Sequence, residues 1–222
     1  MSTGRACGVS PCTVDRSGWD VVRDETELRA LVGEPLPRVA AKVRDRLHPM
    51  DRAFLAASPF WVMATAGADG SLGASPKGDP PGSVLVLDDA TLALAERPGN
   101  RRADGFLDLL ASPRVGLLFV VPGRGDTLRV NGRATLVREA PFLDDLVVQG
   151  HRPVLAVVVD VEEVFFHCAK AFLRAGLWDP STWDPDAAPS RPVIAGAVER
   201  PDASAEELAA YYGPSYGTKL YG

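Results

Sequence analysis

Cysteine is scarce in this chain of 222 residues, which contains only three. Cys7 and Cys12 lie in a stretch of Gly, Ser, Pro and Thr, and no second cysteine pair follows them. A zinc site would therefore lack ligands. Unpaired thiols are the ordinary state in a reducing cytoplasm. The pattern predicts a cytoplasmic protein without a metal site.

Long apolar runs are also missing. No run approaches the roughly 18 residues that a membrane-spanning helix needs, and the first residues lack the apolar core of a secretory signal. The net charge of −5 excludes a general basic surface for nucleic acid. Arginines nevertheless cluster around 97–102 and 124–138. A local basic cluster in an acidic protein favours a small anionic ligand.

The N-terminal quarter of the chain predicts a tail and then helices. Residues 1–17 are expected to be a flexible tail that contributes little to stability, because their composition offers almost nothing to bury. Residues 18–57 are expected to be helical. Within them, Thr26 would cap 27–32, apolar residues repeat at intervals of four over 38–47, and Asp51 would cap 52–57.

After residue 58 the hydrophobic period changes to that of strands. Short β-type segments joined by hairpin turns predict an antiparallel, Greek-key β-barrel with flanking helices, over residues 58–178. Strand–helix–strand alternation is absent from 60–96, and no G-x-G-x-x-G follows a strand, which argues against a doubly wound fold. Residues 179–222 would form a C-terminal extension. The expected strands are 60–66, 71–77, 83–87, 91–95, 115–121, 127–138 and 153–159, the last continued by 161–167; helices are expected at 141–148, 169–177 and 205–212.

The strongest candidate for chemistry is Asn100-Arg101-Arg102. The sequence predicts that Asn100 caps the helix ending near Leu110 and that the two arginines lie in its first turn. Arginine is a poor choice there, because a helix N-terminus is already partly positive. A bound phosphate would resolve the conflict. The alternative is that both arginines face solvent and pair with Asp104 or Glu96.

Two further stretches are weaker candidates. Ser75-Pro76-Lys77 lies where a strand leaves the sheet, and it offers a hydroxyl and a cation beside a glycine. On the strand from residue 127, Thr127 and Arg129 share a polar face that would line a ligand at the barrel's edge. Each stretch alone also fits an ordinary loop or solvent-facing surface. No residue is identified as a catalytic acid or base, and the three histidines are expected to be structural.

The order of these motifs resembles the FMN-binding split barrel of the pyridoxamine 5′-phosphate oxidase family. Asn-Arg-Arg at 100–102 precedes a helix that ends in Ser-Pro-Arg at 112–114, and Val-Gly-Leu-Leu-Phe follows. Thr-Leu-Arg-Val-Asn-Gly-Arg at 127–133 is similar to the next strand of that fold. The resemblance covers about residues 45–178. It is greatest to a subgroup of FMN-dependent enzymes that shares the S-P-[KR]-G-D and R-P-G-N-x-R patterns.

The resemblance implies FMN as the cofactor and a homodimer with the cofactor at its interface. Arg101 and Arg102 occupy the positions that hold the FMN phosphate in that family. Ser75 and Thr127 replace an arginine and a glutamine of the oxidases. Three further residues are implied to reach the cofactor from the partner subunit: Lys170, Arg174 and Trp178.

The implied activity is an FMN-dependent oxidation or reduction of a small organic molecule, with no nucleic acid or membrane as partner. Pyridoxamine phosphate itself is not the expected substrate, because the oxidases' C-terminal substrate-binding arginine and histidine have no convincing counterparts here. Two alternatives stay open. One is a reductase that uses the deazaflavin F420, and the other is a flavin- or haem-binding protein without turnover.

Overall fold

The computed structural model describes residues 14–218, 220 and 221, and within them the chain forms two compact units that divide after Ala41. The predicted tail lies mostly outside the described residues, as do Cys7 and Cys12. The predicted boundaries after residues 17, 57 and 178 stay predictions. No described helix is long and apolar enough to cross a bilayer.

The first unit contains two short helices, α1 (Glu25–Val32) and α2 (Pro37–Ala40). Asp24, and not Thr26, caps α1, because its carboxylate accepts a hydrogen bond from the Glu27 amide at 2.9 Å. The predicted cap is therefore wrong by two residues.

The helix predicted over residues 38–47 is also wrong, since α2 ends at Ala40. Further along, the backbone of Arg44 forms an antiparallel bridge with Val164, through hydrogen bonds of 3.1 and 2.7 Å. The amide of Leu47 donates to the Asp89 carbonyl at 2.7 Å, and the Leu47 side chain joins the core. Hydrogen bonds to distant segments of the chain therefore satisfy backbone groups that a helix would have paired internally.

Seven antiparallel strands make up the single sheet of the described residues, in the order β2-β1-β5-β6-β7-β4-β3. Two of the predicted strands, 60–66 and 91–95, are confirmed to the residue, and the others are confirmed with small shifts at their ends. The predicted run from 153 forms one long strand with its continuation. The strands are β1 (Phe60–Ala66), β2 (Leu72–Gly78), β3 (Val84–Val86), β4 (Thr91–Ala95), β5 (Arg114–Val120), β6 (Thr127–Val137) and β7 (Ala156–His167).

The core lies on one face of the sheet, as alternation along the strands requires. Trp61 and Met63 of β1 point to it, together with Phe119 of β5 and Leu128 of β6, and all four are at most 3% exposed. A second, smaller cluster forms around Leu143. The predicted fold class, mainly β with flanking helices, is thus confirmed.

The sheet curls so that its first and sixth strands approach each other. Lys77 of β2 and Glu96, which follows β4, form an ion pair of 2.6 Å. No backbone ladder joins β2 to β3 or β4 in the described residues, so the sheet is open along this line. A split remains where a closed barrel would have a further row of hydrogen bonds.

Short helices flank the sheet. The helix predicted at 52–57 begins earlier, at Pro49, with His48 as its cap, and Asp51 accepts from the His48 amide as the third residue of a capping box. Asp51 therefore supports the cap without being it. The segment predicted as a helix at 141–148 is a 3₁₀ helix. The helices are α3 (Pro49–Ala57), α4 (Asp104–Ala111), α5 (Lys170–Ala175), α6 (Arg191–Ile194) and α7 (Ala205–Tyr211), with 3₁₀ helices at Pro141–Leu146, Pro180–Thr182 and Pro214–Thr218 and a π-helical turn at Ala195–Glu199.

Candidate functional site

A cleft of about 930 Å³ opens at the split in the sheet. Its walls come from β1, β2, the segment between β4 and α4, and the loop at 151–154. Six of the predicted cofactor-binding residues line it: Ser75, Pro76, Lys77, Asn100, Arg101 and Arg102. Residues that are far apart in the sequence and were predicted separately therefore meet at one place.

The register of the first hairpin places Ser75 and Lys77 in the cleft wall. Ser75 pairs with Met63 and Lys77 pairs with Trp61 across the two strands. Cross-strand partners point to the same face of a sheet. Because Trp61 and Met63 point inward, Ser75 and Lys77 do so as well, and both line the split.

The ammonium group of Lys77 is held on two sides. It donates to a Glu96 carboxylate oxygen at 2.6 Å, and it lies 4.8 Å from the centroid of the Phe106 ring. Both members of the ion pair are only 21% exposed. The pair is therefore partly protected from water, where a charge interaction is stronger than at an open surface.

A second ion pair, Arg97 with Asp79, lies beside the cleft, and Arg97 contributes to the lining. The Arg97 guanidinium donates to Asp79 at 2.7 Å and to the Leu146 carbonyl at 2.7 Å. The Asp79 side chain is 1% exposed. Its other oxygen accepts a hydrogen bond from the Tyr221 hydroxyl at 2.8 Å.

The prediction that Asn100 caps α4 is wrong. The helix begins at Asp104 after Ala103, so Arg101 and Arg102 precede it instead of forming its first turn. The Asn100 side chain accepts from the Arg102 amide at 3.1 Å, which makes a local turn. Arg101 and Ala103 adopt left-handed backbone conformations, with φ of 61° and 57°. Such conformations are unfavourable outside glycine and are concentrated at functional sites.

The two arginines differ in their partners. Arg102 pairs with Asp104 at 2.7 Å, as the solvent-facing alternative anticipated, but the pair is exposed on both sides and contributes little. Arg101 has no ion-pair partner among the described residues. The cleft lining carries five basic residues against two carboxylates: Lys77, Arg97, Arg101, Arg102 and Arg152, with Glu96 and Asp104. Four of these five basic residues are already paired with carboxylates, since Arg97 pairs with Asp79, and Arg152 with Glu139 and Asp144. The unpaired positive charge of the lining is therefore that of Arg101.

Trp61 adds an unsatisfied donor to this wall. The residue is 2% exposed, and its indole N–H has no hydrogen-bond partner among the described residues. A buried donor without a partner is costly and uncommon. An orphaned donor, the unpaired guanidinium of Arg101 and a strained backbone together fit an anionic ligand rich in acceptors, and FMN has this chemistry.

The other predicted residues lie away from the cleft. Thr127 is 3% exposed at the start of β6, and Arg129 pairs with Glu163 while its guanidinium lies 4.2 Å from the Phe165 ring centroid. Lys170 and Arg174 are exposed on α5, and the Trp178 indole donates to the Arg124 carbonyl at 2.7 Å. Within one chain, the predicted set therefore forms two groups.

His167 lies with this second group. Burial, reinforced by the charges of Arg129 and Lys42, lowers the pKa of its imidazole. The neighbouring Cys168 is a free, exposed thiol, and its pKa is lowered chiefly by a hydrogen bond from the Lys170 backbone.

Sequence reasoning missed several residues that line the cleft or support its lining. The sequence does not indicate that Trp61 lines a site, since a tryptophan on a strand is usually a core residue. Asp79 and Arg97 lie in the two quoted patterns, S-P-K-G-D and R-P-G-N, but nothing in the sequence shows that they pair. Tyr221 had one usable signal, because every tyrosine of the chain falls within 211–221.

Comparison with known proteins gives one family and several solved structures. The profile described as pyridoxamine 5′-phosphate oxidase matches residues 47–168. No curated protein sequence matches the chain.

Three of the similar structures are HupZ of Group A Streptococcus, a pyridoxamine 5′-phosphate oxidase-related, FMN-binding protein of Nostoc punctiforme, and an F420 reductase. HupZ is 18% identical over 54% of this chain and 93% of its own, with a TM-score of 0.44. The Nostoc protein is 14% identical over 54% and 84%, with a TM-score of 0.38. The F420 reductase is 16% identical over 52% and 94%, with a TM-score of 0.38. At these low values, the family assignment rests on the sequence profile.

Proposed function

The chain belongs to the pyridoxamine 5′-phosphate oxidase family, and from this we propose that it binds FMN in the cleft and acts as an FMN-dependent oxidoreductase on a small organic molecule. The observation that carries the proposal is the meeting of Ser75 and Lys77 with Arg101 and Arg102 in one cleft. The family resemblance assigns Arg101 and Arg102 to the FMN phosphate and places Ser75 where the oxidases have an arginine. Lys77 belongs to the S-P-[KR]-G-D pattern that the resemblance includes.

The phosphate of FMN is the natural partner of Arg101 and Arg102. A dianion would compensate the unpaired guanidinium of Arg101 and compete with the exposed Asp104 for Arg102. Arginine binds phosphate with two parallel hydrogen bonds, which gives both energy and orientation. The left-handed turn at 101–103 then has a purpose, because it brings two consecutive arginines to the same cleft.

Lys77, Ser75 and Trp61 would hold the rest of the cofactor. All three offer donors, and FMN offers carbonyl, ring-nitrogen and ribityl oxygen acceptors to match them. When bound, the flavin supplies the redox chemistry, and the protein contributes binding, orientation and electrostatic tuning. A ligand in the cleft would meet Lys77 together with its counter-ion, Glu96.

A homodimer accounts for the second group of predicted residues. The outer face of β1 and β5 presents apolar side chains that are only partly buried: Phe60 opposite Val120, and Val62 opposite Leu118. Arg129 lies on the same face, across from Leu118. A second copy docked on this face would cover the apolar side chains. Under the proposal, it would also carry its Arg129, Lys170, Arg174 and Trp178 towards the cofactor.

The volume of the cleft is also compatible with F420, which is larger than FMN, so F420 is included in the binding experiment below. A volume of about 930 Å³ is near the upper end for small-ligand pockets. Arg97 and Arg152 also line the cleft, where Arg97 is paired with Asp79, and Arg152 with Glu139 and Asp144. A longer anionic tail would compete with these carboxylates for the two arginines, whereas FMN would leave the pairs intact.

The direct experiment is to purify the protein, release any bound ligand by denaturation and identify it by mass and absorption. Protein stripped of ligand is then titrated with FMN, riboflavin, F420 and haem. We expect FMN to bind in the micromolar range or tighter, and riboflavin to bind more weakly. Tighter binding of F420 or haem than of FMN would contradict the proposal and select the corresponding alternative.

The same titration on variants locates the phosphate. Arg101→Ala and Arg102→Ala should each weaken FMN by about one to two decades and leave riboflavin nearly unchanged, since one charge-assisted contact contributes about 1.5–3 kcal/mol. Arg102→Lys should retain part of the affinity. Arg114→Ala is the matched control, because Arg114 also forms an exposed ion pair, with Glu162, outside the cleft lining. Unchanged FMN affinity in both arginine variants would place the phosphate elsewhere.

A further inference from the structure

The four tyrosines of the chain are Tyr211, Tyr212, Tyr216 and Tyr221, and they divide into two groups. The first three pack against each other, with ring centroids 4.9–5.7 Å apart. Tyr221 leaves this cluster and lines the cleft instead. Tyr221 therefore contributes to the wall of a cleft whose other residues come from the sheet, the segment before α4 and the loop at 151–154.

The hydroxyl of Tyr221 is anchored on a buried carboxylate. It donates to Asp79 Oδ1 at 2.8 Å, while Asp79 Oδ2 accepts from Arg97 Nε at 2.7 Å. The Asp79 side chain is 1% exposed and that of Arg97 is 12% exposed. Hydrogen bonds to a charged, buried acceptor are stronger than those between neutral groups. The hydrogen bond to Asp79 therefore fixes the position of the Tyr221 side chain itself, and not only that of the neighbouring backbone.

The ring of Tyr221 is also fixed from its sides. The Arg97 guanidinium lies 5.6 Å from its centroid, and the His151 ring stacks on it at 5.9 Å with an interplanar angle of 24°. Arg97 is in turn held by the carbonyl of Leu146. A ring restrained by a hydrogen bond, a cation and a second ring is an ordered surface on which a ligand can bind.

We infer that Tyr221 is a ligand-contacting residue of the cleft and that its hydroxyl recognises the ribityl chain of the flavin. This inference rests on the proposed function. Because the phenol donates its only proton to Asp79, its remaining capacity is to accept a hydrogen bond. The matching group on a ligand is a hydroxyl or N–H donor, in contrast to the anion that Arg101 and Arg102 select. Among the parts of FMN, the ribityl chain presents a row of such hydroxyls.

The test separates the three parts of the cofactor. FMN, riboflavin and lumiflavin differ by the phosphate and the ribityl chain, and each is titrated into stripped wild-type protein and into Tyr221→Phe. We expect the variant to bind FMN and riboflavin about five- to tenfold more weakly, and lumiflavin with unchanged affinity. Arg102→Ala should show the other pattern, with only FMN weakened. Tyr216→Phe is the matched control and should leave all three affinities unchanged.

A second readout checks the placement of Tyr221 without any flavin. Burial, together with the hydrogen bond to Asp79, raises the pKa of this phenol. In a spectroscopic titration of the phenols, the wild type should show one group that ionises late, and Tyr221→Phe should lack it. Equal flavin affinities in the wild type and Tyr221→Phe, or a late phenol that persists in the variant, would overturn the inference alone. Failure of the wild type to bind any flavin would overturn the proposed function together with it.

Discussion

Lys77 and Glu96 form an ion pair of 2.6 Å that links β2 to the end of β4, and no backbone ladder connects these two strands in the described residues. Lys77 is on β2, at one edge of the sheet order, and Glu96 follows β4, next to the other edge. The contact spans the split that forms the cleft. In a closed barrel, backbone hydrogen bonds would join β2 to the strands on the other side of the split. Here the Lys77–Glu96 ion pair links the two sides instead, and a ligand in the split would contact both charged groups.

The two members of this pair should affect anion binding in opposite directions. Lys77→Met removes a cation from the cleft wall and should weaken FMN about tenfold. Glu96→Gln removes a competing carboxylate of similar size and should strengthen FMN binding. Fluorescence titrations at one ionic strength measure both effects. A loss of affinity of equal size in both variants would mean that the pair acts only by holding the strands together.

The proposed dimer predicts that flavin binding depends on a surface outside the cleft. Leu118 lies on the outer face of β5 and does not line the cleft. Leu118→Asp should place a charge in the interface, give a monomer in light scattering and reduce flavin content severalfold, because the partner's contacts are lost. Thr135→Asp, an exposed position on β6, is the control and should remain dimeric with its flavin. A monomeric variant with full flavin content would show that one chain holds the cofactor alone.

Most of the strands were predictable because their signals are local. Alternating apolar residues and turn residues such as 68–70 determine a hairpin within a few positions, so β1 and β4 agree with prediction to the residue. The helix expected at 38–47 failed for the opposite reason. Its repeat of apolar residues is real, but Arg44 pairs with Val164, 120 residues later, and periodicity carries no information about that partner.

The site was predictable where the chemistry breaks a local rule. Two arginines beside a helix start led to the cleft, even though their backbone is left-handed rather than helical. The pairing of Asp79 with Arg97 and the placement of Tyr221 could not be predicted, since both depend on how distant segments meet. Similarly, the sequence shows that Thr127 is polar but not that it is almost fully buried.

Asp51 should be important for stability although it lies outside the cleft lining. Its side chain is 1% exposed, accepts from the His48 amide at 2.7 Å and pairs with both terminal nitrogens of Arg44. Asp51→Ala removes the capping box and leaves Arg44 without its counter-ion. The free energy of unfolding should fall by about 2–3 kcal/mol. Urea denaturation measures it, and Asp145→Ala, an exposed carboxylate of the Pro141–Leu146 helix, should cost less than about 0.5 kcal/mol.

His167 should make stability decrease in mild acid. Burial and the charges of Arg129 and Lys42 lower the pKa of its imidazole in the folded protein. The unfolded chain therefore takes up the proton first as pH falls below the ordinary histidine value, and protonation favours unfolding. Stability from this group is present above that value and is lost below it. Denaturation at pH 7.5 and 5.5 should show a smaller difference for His167→Gln than for the wild type, and equal differences would contradict the assignment.

Gly132 is expected to be the least replaceable glycine of the sheet. It lies at the irregularity between β6 and β7, where the register shifts after Asn131. A Cβ atom there would lie 2.0 Å from the backbone carbonyl oxygen of Asp160, which cannot rotate away as a side chain would. Gly132→Ala must therefore displace one of the two longest strands, and we expect a loss of about 3 kcal/mol or more in the free energy of unfolding.

Gly116→Ala is the matched control for this prediction, since Gly116 lies on the neighbouring strand opposite Asn131. Its added Cβ would meet the Asn131 side-chain oxygen at 3.4 Å, an ordinary contact with a group that can shift. Denaturation of both variants at the same protein concentration separates steric conflict from the general effect of replacing a strand glycine. If the two variants lose equal stability, the close approach of Gly132 to Asp160 does not determine the packing of β6 on β7.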